Sequence, residues 1–227
     1  MDYKKQAATE AAKLVKANSV IGLGAGNTIA FLAEAIAVDD KFAATIQFVS
    51  SSEETLERLK TLNLSTKDAS ELASVDIYFD GCDQVDQDLN AMKSGAGIHT
   101  DEKTFASMAD RVVILGDDKK LVGTIDITYP FVIEIHPAAL TSISERIKTE
   151  FSIDSINVRK DSKGNLLKTI RSCLLIDIKL SAQPDLFLLD QVKGWPGVID
   201  HSLFYDIVTD AILCGPGGIQ HLSKTYL

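Results

Sequence analysis

The chain has 227 residues, 45% of them hydrophobic, and a formal net charge of −9. This composition predicts a globular protein with one domain, or with a large domain and a small one. Because no basic block interrupts the negative charge, we expect neither a nucleic acid nor a membrane surface as a partner. The N-terminal residues MDYKKQAATEAAK resemble neither a signal peptide nor a spanning segment, so the cytoplasm is the expected location.

Cysteine and histidine are too scattered to predict a metal site. Cys82, Cys173 and Cys214 have neither metal-ligand nor disulfide spacing, which indicates reduced thiols. The four histidines form no HxxH or HExxH pattern. We therefore expect no bound metal and no cofactor.

Hydrophobic periodicity predicts alternating helices and strands over the first half of the chain. The predicted helices cover residues 4–16, 29–36, 50–62 and 101–109. The predicted strands cover residues 20–24, 45–49, 75–80 and 111–116. A further strand over 209–214 is expected to return to the same sheet. This alternation is typical of an α/β fold with an open, Rossmann-like sheet flanked by helices.

The pattern changes after residue 128. The predicted elements there are a strand over 131–135, a helix over 139–151, a hairpin of 155–159 with 166–170 that 173–180 extends, a helix over 185–192 and a strand over 198–204. The order β-α-β-β-α-β predicts a smaller, ferredoxin-like α+β domain. The predicted domains are therefore residues 1–128 plus 205–227, and residues 129–204.

A glycine-rich turn follows the first predicted strand. In GLGAGNT, residues 22–28, small side chains let backbone N–H groups converge beside a helix N-terminus, which favours a bound phosphate. The third glycine of a dinucleotide fingerprint would fall at Asn27, so that motif is not supported. The alternative is a tight turn with Thr28 as the helix cap. Positive charge for a phosphate could come from Lys120 and from Lys4 or Lys5.

Residues 75–103 contain the groups with the clearest chemistry. Asp80 and Asp83 follow a buried strand, Lys93 precedes a turn over residues 94–97, and Glu102 begins a helix. Glu102 could remove a carbon-bound proton next to a carbonyl. Lys93 and the N–H groups of the turn could stabilise the resulting enediolate. Asp80 and Asp83 could hold hydroxyl groups and shuttle their protons.

Each of these residues also has a plainer interpretation. Lys93 alone would be a surface lysine, and Glu102 alone would be a first-turn acid stabilised by the helix dipole. Asp86 and Asp88 are expected to be solvated loop acids. The co-occurrence of acids, lysine and turn at one sheet edge favours an active site.

Seven motifs, in order and spacing along nearly the whole chain, resemble the ribose-5-phosphate isomerase A family. They are GLGAGNT, Ser50-Ser51-Ser52, the DGCD motif of Asp80 to Asp83, Lys93 with its turn, Asp101-Glu102-Lys103, Asp117 to Lys120, and Pro196 to Val198. The resemblance implies a two-domain α/β fold and metal-free interconversion of ribose 5-phosphate and ribulose 5-phosphate through an enediolate. It places this reaction in the non-oxidative branch of the pentose phosphate pathway, and it implies a homodimer or a dimer of dimers.

The resemblance also assigns roles to individual residues. Glu102 is the proton-transferring base and Lys93 stabilises the oxyanion. Asp80 and Asp83 handle ring opening and hydroxyl protons. The predicted substrate-binding residues are Ala25, Gly26, Asn27, Thr28, Gly81, Ser94, Gly95, Ala96 and Lys120.

Several positions depart from the family pattern. The phosphate turn commonly reads Thr-Gly-Ser-Thr where this chain has Ala-Gly-Asn-Thr at 25–28. The acidic motif commonly continues with glutamate where this chain has Gln84, and Ser94 and Ala96 interrupt a turn that is usually all glycine. Because backbone donors survive these changes, we expect activity to remain, with an altered affinity or sugar preference.

Three alternatives stay open from the sequence. A diverged paralogue would act on another sugar phosphate. A sugar-phosphate sensor would bind without turnover and would be expected to carry a DNA-binding segment, for which the stretch before Val20 is too short. An acyl-CoA transferase-like enzyme would form a covalent adduct on Glu102.

Overall fold

The computed structural model describes residues 2–224, which form helices packed on three β-sheets. The helices are α1 (Tyr3–Ala12), α2 (Asn27–Ala37), α3 (Asp40–Ala43), α4 (Glu53–Thr61), α5 (His99–Ser107), α6 (Leu140–Glu150) and α7 (Leu186–Asp190). The first strands are β1 (Val20–Leu23), β2 (Gln47–Ser50), β3 (Val75–Asp80), β4 (Gln84–Val85), β5 (Ala91–Met92) and β6 (Ala109–Asp117). The later strands are β7 (Phe131–Ile135), β8 (Ile153–Val158), β9 (Leu174–Leu180), β10 (Val198–His201), β11 (Leu203–Phe204), β12 (Asp210–Gly215) and β13 (Gly218–Ser223).

The larger sheet has the strand order β13-β12-β6-β3-β1-β2, and all neighbours except β12 and β13 are parallel. Its parallel strands are mostly apolar runs, as expected when helices cover the faces of a parallel sheet. On α2, Ile29, Leu32, Ala33 and Ile36 follow helical spacing and are all buried in the core. The predicted Rossmann-like sheet is confirmed.

The second sheet has four antiparallel strands in the order β10-β7-β9-β8. With α6 and α7 inserted in the chain, its order is β-α-β-β-α-β, the ferredoxin-like arrangement that the sequence predicts. Phe131, Ile133 and Ile135 alternate onto one face of β7, where they pack with Ile143 and Ile147 of α6. The predicted α/β fold class with a smaller α+β unit is therefore confirmed.

A short third sheet, with the order β11-β5-β4, connects the two larger ones. The chain was expected to form one strand over 198–204, but it divides at Ser202 into β10 and β11. There the Ser202 hydroxyl accepts a hydrogen bond from the Val132 amide at 2.9 Å, and the Ser202 carbonyl accepts one from the Lys93 amide at 2.9 Å. Ser202 thus places Lys93 next to the second sheet.

Two predicted elements are wrong in detail, and one strand was not predicted. The strand that pairs with β8 is β9, not residues 166–170, which make only isolated bridges. Leu166 is 48% exposed and Ile170 83%, so this segment has no apolar face to bury. The first helix ends at Ala12 rather than residue 16. The edge strand β13 was not predicted, because almost all its side chains are exposed and do not alternate in polarity.

Within residues 2–224, no helix is both long enough and apolar enough to cross a membrane.

Candidate active site

The carboxyl ends of β1, β3 and β6 border a cleft of about 350 Å³. In parallel sheets, ligands bind outside this edge, because the loops that follow the strands converge there. The predicted site residues that line the cleft are Ala25, Gly26, Asn27, Thr28, Gly81, Asp83, Lys93, Gly95, Ala96, Glu102 and Lys120. The sequence therefore identified most of the lining from loops that are far apart in the chain.

The Lys93 ammonium lies at the centre of the site, between two carboxylates. Its Nζ is 3.0 Å from Oδ2 of Asp80 and 3.3 Å from Oε1 of Glu102. It also donates to the Gly81 carbonyl oxygen at 2.6 Å. The side chains of all three charged residues are at most 8% exposed. Lys93 is thus a buried, fixed cation and not a surface lysine.

Asp80 lies beneath the cleft and does not border it. Its carboxylate accepts hydrogen bonds from the amides of Gly81 at 2.7 Å and Ala25 at 3.3 Å, and from the Tyr78 hydroxyl at 2.9 Å. A Cβ atom on Gly24 would lie 2.1 Å from the Asp80 carboxyl carbon, so only glycine lets the carboxylate pack against the turn after β1. These bonds satisfy the buried charge and orient Asp80 towards Lys93.

Burial and charge set the protonation of the central groups. Burial raises the pKa of Glu102 to about 8, and the Asp80 charge adds to this shift while Lys93 opposes it. Burial alone would lower the pKa of Lys93, but the Asp80 and Glu102 charges outweigh it and raise the pKa above the usual lysine value. Lys93 therefore stays charged, whereas Glu102 keeps its proton to a higher pH than an ordinary glutamate does.

The turn after Lys93 is held by Asp83, which accepts a hydrogen bond from the Ser94 amide at 2.5 Å. The Ser94 hydroxyl faces away from the cleft and donates to the Pro130 carbonyl oxygen at 2.6 Å. Ser94 itself does not line the cleft, whereas Gly95 and Ala96 do. Of the predicted substrate-binding residues, Ser94 is the one that the structure places elsewhere.

One end of the cleft is suited to an anion. The N-terminus of α2 opens onto it, and its N-cap Gly26 makes no side-chain capping bond, which leaves first-turn N–H groups available. Thr28 lies inside the helix, so the interpretation of Thr28 as its cap is wrong. Lys4 of α1 and Lys120 also line the cleft. The sequence offered Lys4 or Lys5, and it is Lys4 that reaches this position.

Ion pairs on both sides of Glu102 hold α5 against the second sheet. The Arg171 guanidinium bonds Oδ1 of Asp101 at 2.6 Å and Oε2 of the fully buried Glu134 at 2.9 Å. On the other side, Nζ of Lys103 lies 2.6 Å from Oδ1 of Asp200. The backbone that carries Glu102 is thus tied to the strands of the smaller sheet.

The structure corrects the expectation for Asp86 and shows the surroundings of Cys82. Asp86 is buried and not a solvated loop acid, because it accepts hydrogen bonds from the amides of Asp88 at 3.0 Å and Asn90 at 2.8 Å. Cys82 lines the cleft, but burial raises the pKa of its thiol to about 12, which disfavours a nucleophilic thiolate. In the described part of the chain, no three His, Cys, Asp or Glu side chains are grouped so as to hold a metal ion.

The family described as ribose 5-phosphate isomerase A (phosphoriboisomerase A) matches residues 47–218. The chain belongs to this family. Its relative from Chloroflexus aurantiacus, named ribose-5-phosphate isomerase A, is 30% identical over 225 residues, which cover 98% of this chain and 93% of that one. A ribose 5-phosphate isomerase structure from Plasmodium falciparum superposes with a TM-score of 0.90 at 26% identity over 99% of each chain. A D-ribose-5-phosphate isomerase in complex with phospho-erythronic acid gives 0.89 at 26% identity, over 99% of this chain and 100% of that one.

The departure from the isomerase pattern at Gln84 has a structural reason. Gln84 is buried, and its Nε2 donates to Oδ1 of Asp126 at 2.8 Å. The Asp126 amide donates back to Oε1 of Gln84 at 3.2 Å. The glutamate that is usual in the family would place two carboxylates against each other here. Gln84 therefore provides both the donor and the acceptor that pair with Asp126, and it lies outside the cleft.

We expect Gln84→Glu to destabilise the fold. The variant loses the amide donor and adds repulsion of Asp126, at a cost of about 1–3 kcal/mol in the free energy of unfolding at pH 7. The cost should shrink at acid pH, because the introduced carboxyl group can donate to Asp126 again once it is protonated. Urea unfolding at pH 7 and at about pH 4.5, near the ordinary glutamate pKa, measures both effects. Gln87→Glu, an exposed change in the same loop, is the matched control, and equal losses for both variants would contradict this explanation.

Proposed function

We propose that this chain interconverts ribose 5-phosphate and ribulose 5-phosphate, with Glu102 as the proton-transferring base. The observation that carries the assignment is the distance of 3.3 Å between the Glu102 carboxylate and the Lys93 ammonium on the wall of one cleft. Aldose–ketose isomerisation needs this pair, because a proton leaves carbon while negative charge appears on an adjacent oxygen.

The reaction proceeds through an enediolate in three proton transfers, two of them between carbon and Glu102 and one between the two oxygens. Glu102 removes the proton from C2 of the open-chain aldose, the C2 electron pair forms the C1–C2 double bond, and the carbonyl electrons move to O1. Lys93 stabilises the charge on O1. The O2 proton then moves to O1, C2 becomes the carbonyl carbon, and Glu102 returns its proton to C1. No atom is gained or lost, and Glu102 ends in its starting state.

Asp83 and Asp80 have different roles in the proposed reaction. Asp83 borders the cleft, so it can reach sugar hydroxyls, assist ring opening and carry the proton between O2 and O1. The buried Asp80 contacts Lys93 directly, which supports a role in keeping that ammonium charged and in place. The assignment of Asp80 to hydroxyl protons stays a prediction from the family resemblance.

The substrate phosphate binds at the α2 end of the cleft. The amides of residues 25–28 supply backbone donors, and Lys4 and Lys120 supply positive charge in a protein whose overall charge is negative. The family member solved with phospho-erythronic acid supports the class of substrate, since that ligand also combines a phosphate with a short polyhydroxylated chain. Asn27 replaces a hydroxyl donor of the usual family turn with a side-chain amide.

The same proposal covers the biological setting. The reaction belongs to the non-oxidative branch of the pentose phosphate pathway and takes place in the cytoplasm. The chain acts as a homodimer or a dimer of dimers, with a small sugar phosphate as its partner and without nucleic acid, membrane, metal or cofactor. The family membership and the acidic charge of the chain support these assignments.

Isomerase activity can be tested directly by NMR. The EDTA-treated protein, mixed with ribose 5-phosphate in D₂O, should produce ribulose 5-phosphate with deuterium at the carbon that receives the proton from Glu102. Deuterium is expected at this carbon because the proton on Glu102 can exchange with the D₂O solvent while the enediolate exists. Binding without any ketose signal would favour the sensor. A covalent adduct on Glu102 after incubation with an acyl-CoA would favour the transferase, which the burial and raised pKa of Glu102 make a poor match.

A further inference from the structure

The turn that follows Lys93 is bonded from outside the cleft by one arginine of the smaller sheet. Arg159, which directly follows β8, donates through one terminal nitrogen to the Gly95 carbonyl oxygen at 2.8 Å. Its other terminal nitrogen donates to the Ser94 carbonyl oxygen at 2.9 Å. The Arg159 Nε donates to Oδ2 of Asp177 on β9 at 3.1 Å. The side chain is 17% exposed, so the fork is largely shielded from water.

These contacts fix the direction of two consecutive peptide groups. A trans peptide is planar, and its N–H points opposite to its C=O. No peptide bond in the described chain is cis. Because the carbonyls of Ser94 and Gly95 both point to Arg159, the N–H groups of Gly95 and Ala96 point the other way. Gly95 and Ala96 border the cleft, whereas Arg159 does not. The N–H groups of Gly95 and Ala96, which point away from Arg159, therefore face the cleft where the substrate would bind.

The two amides have no competing partner. In residues 2–224, the Ser94 amide donates to Asp83, but the amides of Gly95 and Ala96 make no hydrogen bond. Both residues are exposed to the cleft, next to Lys93. Two converging N–H groups beside a buried ammonium are the donors that an oxyanion requires.

We propose that Arg159 is a positioning residue that orients the Gly95 and Ala96 amides towards the oxyanion of the isomerisation. The inference rests on the proposed function, and it adds a residue from the smaller sheet that contacts neither the substrate nor Glu102. Donors fixed before the reaction stabilise developing charge without reorganising, whereas a turn of small residues left unbonded would rotate its peptide groups.

The surroundings of Arg159 are built for this orientation. Asp177 holds the plane of the guanidinium by two bonds, to Nε and to the terminal nitrogen that also bonds Ser94, so the other terminal nitrogen is directed at Gly95. Gly97 closes the turn at a φ of +74°, and a Cβ atom there would lie 2.4 Å from Leu175 and 2.9 Å from Arg159. Lysine cannot replace this arrangement, because a single ammonium lacks the planar fork.

The test is Arg159→Ala, with added guanidinium ion as the readout that separates positioning from general stability. We expect kcat to fall by about 10²-fold, the usual cost of misplacing catalytic groups by about 1 Å, with a much smaller change in KM. Guanidinium chloride, well below its unfolding concentrations, should restore part of kcat, while sodium chloride at equal ionic strength should not. Arg111→Ala is the matched control, since Arg111 makes the same fork with Asp210 and is remote from the cleft.

A second variant keeps the inference testable if Arg159→Ala folds poorly. Arg159→Lys keeps the charge but can bond only one carbonyl well, so its kcat should lie between those of Arg159→Ala and the unchanged chain. A folded Arg159→Ala protein with normal kcat would overturn the inference. So would a loss of kcat that guanidinium ion does not reverse and that Arg111→Ala reproduces.

A measurement without turnover separates this inference from the proposed function. In ¹⁵N-labelled protein, phospho-erythronic acid should shift the amide signals of Gly95 and Ala96, and in Arg159→Ala those shifts should diminish. If the unchanged chain showed the shifts but no isomerisation, the proposed function would fail while the role of Arg159 in orienting the amides would stand. Absence of the shifts in the unchanged chain would count against the orientation.

Discussion

Replacing Glu102 with glutamine should lower kcat by roughly two to four orders of magnitude while ribose 5-phosphate still binds. Glutamine has the same shape and can still contact Lys93, but it cannot accept a proton from C2. Because we propose that the phosphate binds at the other end of the cleft, the dissociation constant of ribose 5-phosphate should change by less than about tenfold. Steady-state kinetics and calorimetric titration with ribose 5-phosphate measure the two quantities.

A matched control for this variant lies in the same cleft. Glu54 also borders it, but this side chain is exposed and contacts none of the central groups. Glu54→Gln removes the same charge and should leave kcat within a few-fold of its original value. Near-normal turnover in Glu102→Gln would exclude Glu102 as the base, and equal losses in both variants would point to a general effect of charge in the cleft.

The pH dependence gives an independent check on the same residue. Only the deprotonated carboxylate can accept the C2 proton, and the pKa of Glu102 is about 8 in the free protein. The value of kcat/KM should therefore rise about tenfold per pH unit below that pKa and level off above it. Data above about pH 7 are most informative, because the substrate phosphate itself ionises near pH 6. The residual activity of Glu102→Gln should lack this rise.

Lys93→Met should be damaging to both catalysis and stability. Methionine has a similar length but no charge, so the variant loses the cation that we propose stabilises the enediolate, at an expected cost of at least about 10²–10³ in kcat. It also leaves Asp80 and Glu102 buried without the ammonium between them. Removing one partner of a buried ion pair costs about 3–5 kcal/mol in the free energy of unfolding.

The stability loss in Lys93→Met has a predictable sign with pH. Without Lys93, the buried carboxylates bind protons more readily, so the loss should be smallest at acid pH and grow as the pH rises. Urea unfolding at about pH 5 and about pH 8 measures this trend. Lys120→Met is the comparison, because Lys120 lines the cleft but is only half-buried, and we expect it to raise KM more than it lowers kcat. Normal kcat in folded Lys93→Met would leave the amides of the turn as the sole oxyanion donors.

The parts of the fold that the sequence predicted best are those whose side chains are buried on a regular pattern. The bounds of β3 and β7 agree to the residue, since both are apolar runs that end at a polar or turn position. The edge strand β13 and the true partner of β8 escaped prediction. Their positions depend on which strand edge is available for pairing, and that is settled by the tertiary structure rather than by local pattern.

The candidate site also contains residues that the sequence could predict and residues that it could not. Glu102, Lys93 and Asp83 could be predicted because their residue types and their places after strands limit their chemistry. Tyr78 and Arg159 could not, because a tyrosine within an apolar strand and an arginine after a half-buried edge strand have many ordinary roles. Only the folded structure shows that the Tyr78 hydroxyl donates to Asp80 and that Arg159 bonds two carbonyls of the turn.

The ion pairs on either side of Glu102 mean that the parallel sheet cannot carry this chemistry by itself. Asp101 and Lys103 bind groups of the four-stranded sheet, so the catalytic carboxylate takes its place only when that sheet is folded and docked. Release of the smaller sheet would therefore remove the contacts that hold Glu102 in the cleft. A minimal isomerase would therefore have to keep the four-stranded sheet, although that sheet contributes no residue to the proposed phosphate site.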